Sequence, residues 1–198
     1  MRLYLIRHGL TEANLRCLYY GATDLPLCGE GIQGILTAKA RGRYPDRAGL
    51  RLYTSGLLRT EQTLSLIYGD VSHEALPAWA EMDFGTFEMK SYEELKNNPD
   101  YISWIEDESG ELACPGGETN NQALARFTAG LKLLRKRNQD ALVITHGGVI
   151  ARLMGRLFPE EPFHFYQWQP RAGEGYLLFW EEVGRAAWHR VALPETTI

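Results

Sequence analysis

The sequence predicts an α/β fold on a mostly parallel sheet, and three observations predict it. Short apolar runs (Leu3-Tyr4-Leu5-Ile6, Leu50 to Thr54, Ala141 to Thr145) alternate with segments whose apolar residues keep helical spacing. The first and last of these runs end alike: a histidine, a glycine, then a helix, at His8-Gly9 and at His146-Gly147-Gly148. No linker, low-complexity run or repeat divides the 198 residues, a length that suits one domain.

In chain order, Leu3 to Ile6 is a buried strand of the kind found in sheets covered on both faces. Arg7 and His8 follow at its carboxyl end, where α/β sheets bind ligands. Gly9 allows a sharp turn and close approach of a ligand. Thr11 is placed to cap a short helix through Leu15. Tyr19 to Leu27 is punctuated by Gly21 and Pro26 and is expected as loop. Ile32, Ile35, Leu36 and Ala40 mark a helix that Gly42 stops. The strand Leu50 to Thr54 leads into a helix at about 57–68 with Arg59 in its first turn. From Glu81 to Glu118 eleven acidic residues face only Lys90 and Lys96. This segment is expected as short helices and loop laid over the sheet rather than as core. Glu118 is expected to open a helix with Leu124, Phe127, Leu131 and Leu134 on one face. Arg135, Lys136 and Arg137 would complement the dipole at its end. After the strand Ala141 to Thr145 and an apolar helix to about Leu157, the tail offers strands at 163–168, 176–180 and, more weakly, 187–191. A turn at 182–185 would join the last two.

Hydrophobic residues are 44% and charged residues 23%, ordinary for a soluble globular chain. A net charge of −4 provides no basic stripe, so nucleic-acid binding is not expected. Cys17, Cys28 and Cys114 are odd in number and show no metal-ligand spacing. The first strand follows Met1 directly, without an export signal or membrane span, so the expected setting is the cytoplasm. Gly29-Glu30-Gly31-Ile32-Gln33-Gly34 fits a dinucleotide fingerprint in letters only. Pro26 spoils the strand that must precede it, so these glycines are expected to shape a loop and open a helix.

No nucleotide P-loop, serine elbow or zinc-protease motif occurs, which leaves histidine as the candidate nucleophile. His73, His164 and His189 lack the strand-end, glycine-flanked setting and are expected to be structural or on the surface. His8 and His146 have that setting. Helix N-termini supply free N–H groups to an anion, and Arg7 and Arg59 could close on it with paired donors.

Leu5-Ile6-Arg7-His8-Gly9-Leu10-Thr11-Glu12-Ala13-Asn14 resembles the signature of the histidine phosphatase superfamily, also called phosphoglycerate mutase-like. The resemblance continues in order through 21–27, 55–63, 81–88, 115–119 and 143–148. It implies a three-layer α/β/α sandwich, one domain over 1–198 and a lid-like acidic insert at about 82–117. It implies His8 as nucleophile and Arg7, Arg59 and His146 as phosphate ligands, with Glu81 as proton donor and then base. Gly9, Asn14, Gly21, Thr23 and Gly147 would be substrate-binding. Neither metal nor cofactor is implied. The partner would be a small phosphorylated metabolite, with α-ribazole phosphate among the candidates, and a homodimer is one assembly open to the chain. The alternatives are a phosphoglycerate mutase, which the acidic insert disfavours, and a non-catalytic phosphate-binding module. Three positions depart from the family pattern: Cys28 for Ser or Thr, Met89 for Gly, and Ala151 for Arg. The last leaves Arg152 one place late and outside the expected site.

The chemistry sets further expectations. An attacking imidazole needs its other nitrogen fixed, here by a backbone carbonyl near Gly9. An alkoxide leaving group needs a proton, and Met82, Phe84 and Phe87 would surround Glu81 with an apolar, protonating setting.

Overall fold

A computed structural model describes residues 1–180 and 188–192, the latter stretch by its backbone alone. The turn expected at 182–185 lies outside the described residues. The strands are β1 (Arg2–Arg7), β2 (Arg51–Thr54), β3 (Glu74–Ala75), β4 (Ala141–Thr145), β5 (Gly175–Trp180) and β6 (Trp188–Ala192). The helices are α1 (Glu12–Leu15), α2 (Gly29–Ala40), α3 (Leu58–Tyr68), α4 (Tyr92–Leu95), α5 (Pro99–Ile105), α6 (Asn120–Arg137), α7 (Gly147–Leu157) and α8 (Phe165–Trp168).

The strands form one sheet in the order β3-β2-β4-β1-β5-β6. β3, β2, β4 and β1 run parallel, β5 pairs antiparallel with β1, and β6 pairs antiparallel with β5. Successive side chains of β1 and β4 go to opposite faces, as a strand requires. Leu3, Leu5 and Val143 join one core with Phe127, Leu131 and Leu134 of α6 and Val149, Ile150, Ala151, Leu153 and Met154 of α7. Tyr4, Ile6, Leu142 and Ile144 join the other, with Ile35 of α2 and Leu64 and Ile67 of α3. Three layers result, as expected. The sheet has helices on both faces, which explains why β1 and β4 carry continuous apolar runs. No helix among the described residues is long and apolar enough to cross a membrane.

Three local expectations are corrected. The segment after Glu81 does form short helices, but it is not a layer over the core. Met82, Phe87, Leu95, Tyr101, Trp104 and Cys114 are buried members of the α6/α7-side core. Its charge density concealed an apolar stripe on single-turn elements too short for periodicity to show. The helix α6 starts after Thr119, whose hydroxyl accepts from Gln122 N (2.9 Å), and Glu118 stays outside it, paired with Arg126 (2.7 Å). Residues 163–168 are not a strand. Gln167 Oε1 takes the His164 N–H (2.8 Å) and closes the single turn α8. There Trp168 is buried against Phe158 and Phe163. Aromatic content suggested a strand, and tertiary packing overrode it.

Sheet order builds the site. β1 and β4 are neighbours in a register that sets Arg7 opposite Thr145. His8 and His146 therefore leave the sheet side by side, and His8 N donates to Thr145 O (2.9 Å). β2 flanks β4 on its far side, so the start of α3 arrives beside them with Arg59.

Candidate active site

Beyond these strand ends lies a cavity of about 220 Å³. Arg7, His8, Asn14, Arg59, Glu81, His146 and Gly147 all line it, so most of the expected site residues are brought together. The His8 and His146 ring centroids are 5.2 Å apart.

The His8 ring is oriented from one side. Its Nδ1–H donates to the Gly9 carbonyl (2.6 Å), which leaves Nε2 as the nitrogen with a lone pair. Gly9 N in turn donates to Thr63 Oγ1 (3.0 Å), and Thr63 donates to Arg59 O (2.7 Å). Burial, reinforced by Arg59 and Arg7, holds the His8 imidazole well below its ordinary pKa. Its bond to Gly9 opposes that shift only weakly. Burial also depresses His146, with Arg59, His8 and Arg7 adding to it. Both rings are thus neutral at neutral pH. His146 Nδ1 accepts from Arg59 Nε (3.2 Å), which makes Nε2–H the donor to Ser55 Oγ (2.8 Å).

The cations are fixed before any ligand arrives. Arg59 is fully buried, with Tyr20 lying 4.8 Å from its guanidinium carbon. Arg7 Nη1 donates to Pro170 O (2.9 Å), while its buried Nε has no acceptor among the described residues. Burial lowers both guanidinium pKa values, yet both groups stay charged. Asn14 Oδ1 accepts from Thr11 N (3.1 Å) and Tyr20 OH (2.9 Å), so its amide nitrogen is the free donor. Gly147 opens α7, where first-turn N–H groups lack helical partners.

Glu81 is the one carboxylate among the described residues lining the cavity. Its setting corrects the apolar one expected. Oε2 accepts from Gly148 N (2.9 Å), and Oε1 accepts from Met82 N (3.0 Å). Arg126 Nη2 holds its backbone oxygen (2.9 Å). Glu88 and Asp83 occupy the same sequence block but do not line the cavity.

Three expected substrate ligands stand elsewhere. Gly9 braces His8 through its carbonyl rather than lining the cavity. Gly21 and Thr23 face away: their N–H groups donate to the Glu88 carboxylate (2.8 and 3.1 Å), while their carbonyls accept from Arg59. Of the remaining histidines, His73 pairs with Glu61 on the surface and His164 caps α8. The side chain of His189 lies outside the description.

The sequence reading missed Arg152. It lines the cavity, donating to Asn120 Oδ1 (2.6 Å) with Phe165 4.9 Å from its guanidinium carbon. Burial lowers its pKa, and Glu81 opposes that shift. The available signal was helical spacing, since residue 152 stands one turn after Gly148, which holds Glu81. Tyr19, Phe84, Trp104, Phe165 and Tyr166 form an aromatic wall, with Leu18 beside them.

Known proteins resemble this chain in sequence and fold. The model of the histidine phosphatase superfamily (branch 1) matches residues 3–188. An adenosylcobalamin/α-ribazole phosphatase of Salmonella typhimurium is 33% identical over 167 residues, covering 79% of each chain. A 2,3-bisphosphoglycerate-dependent phosphoglycerate mutase of Bradyrhizobium diazoefficiens is also 33% identical, covering 80% of this chain and 83% of that one. The crystal structure of an α-ribazole phosphatase from Shigella flexneri superposes with a TM-score of 0.79 at 26% identity, over 92% of both chains.

Proposed function

The chain belongs to the histidine phosphatase superfamily, and from that premise we propose that it hydrolyses a phosphomonoester through a phosphohistidine on His8. The observation that carries this reading is the Nδ1–H bond of His8 to Gly9 O, beside the buried Arg59 and the half-buried Arg7. It fixes a neutral ring with its Nε2 lone pair available in an anion-binding cavity.

In this reading Nε2 attacks phosphorus, and the bond from phosphorus to the leaving oxygen breaks. Arg7, Arg59, the Asn14 amide and the Gly147 N–H receive the phosphoryl oxygens as charge redistributes. Glu81 gives its proton to the departing oxygen. Water then attacks the phosphohistidine, Glu81 takes a proton from it, the N–P bond breaks and inorganic phosphate leaves. The covalent intermediate divides one slow displacement into two easier ones.

The leaving group fits the aromatic wall. Tyr19, Phe84, Trp104, Phe165 and Tyr166 offer flat apolar surface, which suits an aromatic base more than a small sugar acid. α-Ribazole phosphate carries such a base, and the Salmonella relative is named for it. The mutase-named relative keeps phosphoglycerate in the test. A panel of α-ribazole phosphate, nucleoside monophosphates, sugar phosphates and 3-phosphoglycerate, read by phosphate release, decides among them. Highest kcat/KM on α-ribazole phosphate supports the reading. Transfer to 3-phosphoglycerate faster than to water would make the protein a mutase, and no turnover at all would make it a binding module.

A further inference from the structure

Glu88 does not touch the cavity, yet its carboxylate takes five donors. Oε1 accepts from Gly21 N (2.8 Å), Ala22 N (3.1 Å) and Phe84 N (3.1 Å). Oε2 accepts from Thr23 N (3.1 Å) and Thr23 Oγ1 (2.5 Å). Three consecutive backbone N–H groups of the 21–23 loop thus point at one carboxylate. The two ends of a peptide group point oppositely, so Gly21 O, across its peptide from the Ala22 N–H, points away from Glu88 and takes Arg59 Nη2–H (2.8 Å). Thr23 O, in the next peptide but one, takes Arg59 Nη1–H (3.0 Å).

The peptide joining Gly21 to Ala22 does both jobs at once. Its N–H donates to Glu88, and its C=O accepts from Arg59. A charge at each end polarises that peptide in one sense, which strengthens both bonds. The loop packs tightly at Gly21, where an added Cβ would run into the Met82 carbonyl oxygen. Asp24 Oδ1 also takes Leu58 N (2.8 Å), pinning the loop to the first turn of α3 that carries Arg59. With Nε bound to His146, three of the five guanidinium N–H groups are committed. One on each terminal nitrogen remains for a ligand.

We infer that Glu88 is a positioning residue that sets the Arg59 guanidinium through the Gly21–Ala22 peptide. This rests on the reading of Arg59 as a phosphate ligand. Replacing Glu88 leaves three loop N–H groups without their anion, frees the carbonyls and lets Arg59 tilt away from the phosphoryl oxygens.

A double-mutant cycle on p-nitrophenyl phosphate tests it, with thermal melts of each protein. Glu88→Gln keeps size and loses charge. It should lower kcat by about tenfold, the scale of one charge-assisted bond, and weaken inhibition by orthovanadate by a similar factor. In an Arg59→Ala background the same change should cost less than twofold, because the group it positions is gone. Thr23→Val, which removes one donor to Glu88 and keeps the fold, should move kcat and vanadate inhibition in the same direction by a smaller factor. Equal losses in both backgrounds, or a Glu88→Gln enzyme with parental kcat and vanadate affinity, would overturn the inference. If Arg59→Ala itself leaves turnover unchanged, it is the phosphate-ligand reading that fails.

Discussion

The buried end of the cavity and its more exposed end are built by different means. Arg7, His8, Arg59 and His146 stand at strand ends and in the first turn of a helix, on elements that the six-stranded sheet holds in register. Each is held by at least one hydrogen bond before a ligand enters. Leu18, Tyr19, Phe84, Phe165 and Tyr166 stand on loops and a single-turn helix, and Tyr166 is 74% exposed. Where transition-state charge must be met by fixed donors, the fold supplies strand ends and a helix start held by the sheet. Where only the leaving group differs between substrates, it supplies adaptable aromatic surface. The difference predicts that damage to the first end removes chemistry and damage to the second changes preference.

The largest effect should come from the buried end. Arg59→Ala should lower kcat/KM a hundred- to a thousandfold, about 3–4 kcal/mol, on every substrate alike. Losses under tenfold, or losses confined to one leaving group, would erase the distinction. At the exposed end, Arg152→Met should raise KM for the preferred substrate about tenfold, the effect of one charge-assisted contact. Its kcat on p-nitrophenyl phosphate should stay within about threefold of the parent. A uniform loss on both substrates would instead put Arg152 with the catalytic cations.

The same division decides what the sequence could reveal. The strand-end residues were legible because short buried strands show as continuous apolar runs, and a histidine followed by glycine stands out where such a run stops. Even the Gly9 carbonyl behind His8 followed from the chemistry of a neutral imidazole. Tyr19, Trp104 and Phe165 were not legible as a wall, since they come from three separated segments that only folding brings together. Arg152 was hidden by a one-place shift against a familiar pattern. The 163–168 strand was misjudged because four aromatics in six residues suggest a strand unless the burial of Trp168 is known.

Acid should also separate the two ends. His8 and His146 are neutral when folded but would take up protons near pH 6.5 when unfolded. Below that pH the unfolded chain binds more protons, so stability is full above about pH 6.5 and falls as pH drops toward the depressed folded values. Melting temperature between pH 7 and pH 5 should fall less steeply in His8→Asn than in the parent. The exposed-end variant Arg152→Met should keep the parental slope.

The smallest effects concern two family departures that lie outside both ends. Cys28 caps α2 without a side-chain hydrogen bond. Cys28→Ser should raise stability by about 0.5–1 kcal/mol in urea unfolding. Met89 has a φ of 61°, a left-handed conformation that costs a non-glycine residue about 1 kcal/mol. Met89→Gly should recover part of that with kcat unchanged. A change in kcat in either variant would show that the site is less insulated from its surroundings than the geometry describes.

The most direct test is where the phosphate goes. An acid-sensitive, base-stable phosphohistidine, trapped by rapid alkaline quenching during turnover and located by mass spectrometry, should lie on His8 and be missing from His8→Asn. Phosphate found on His146 or any other residue, or a His8→Asn enzyme with parental turnover, would contradict the account.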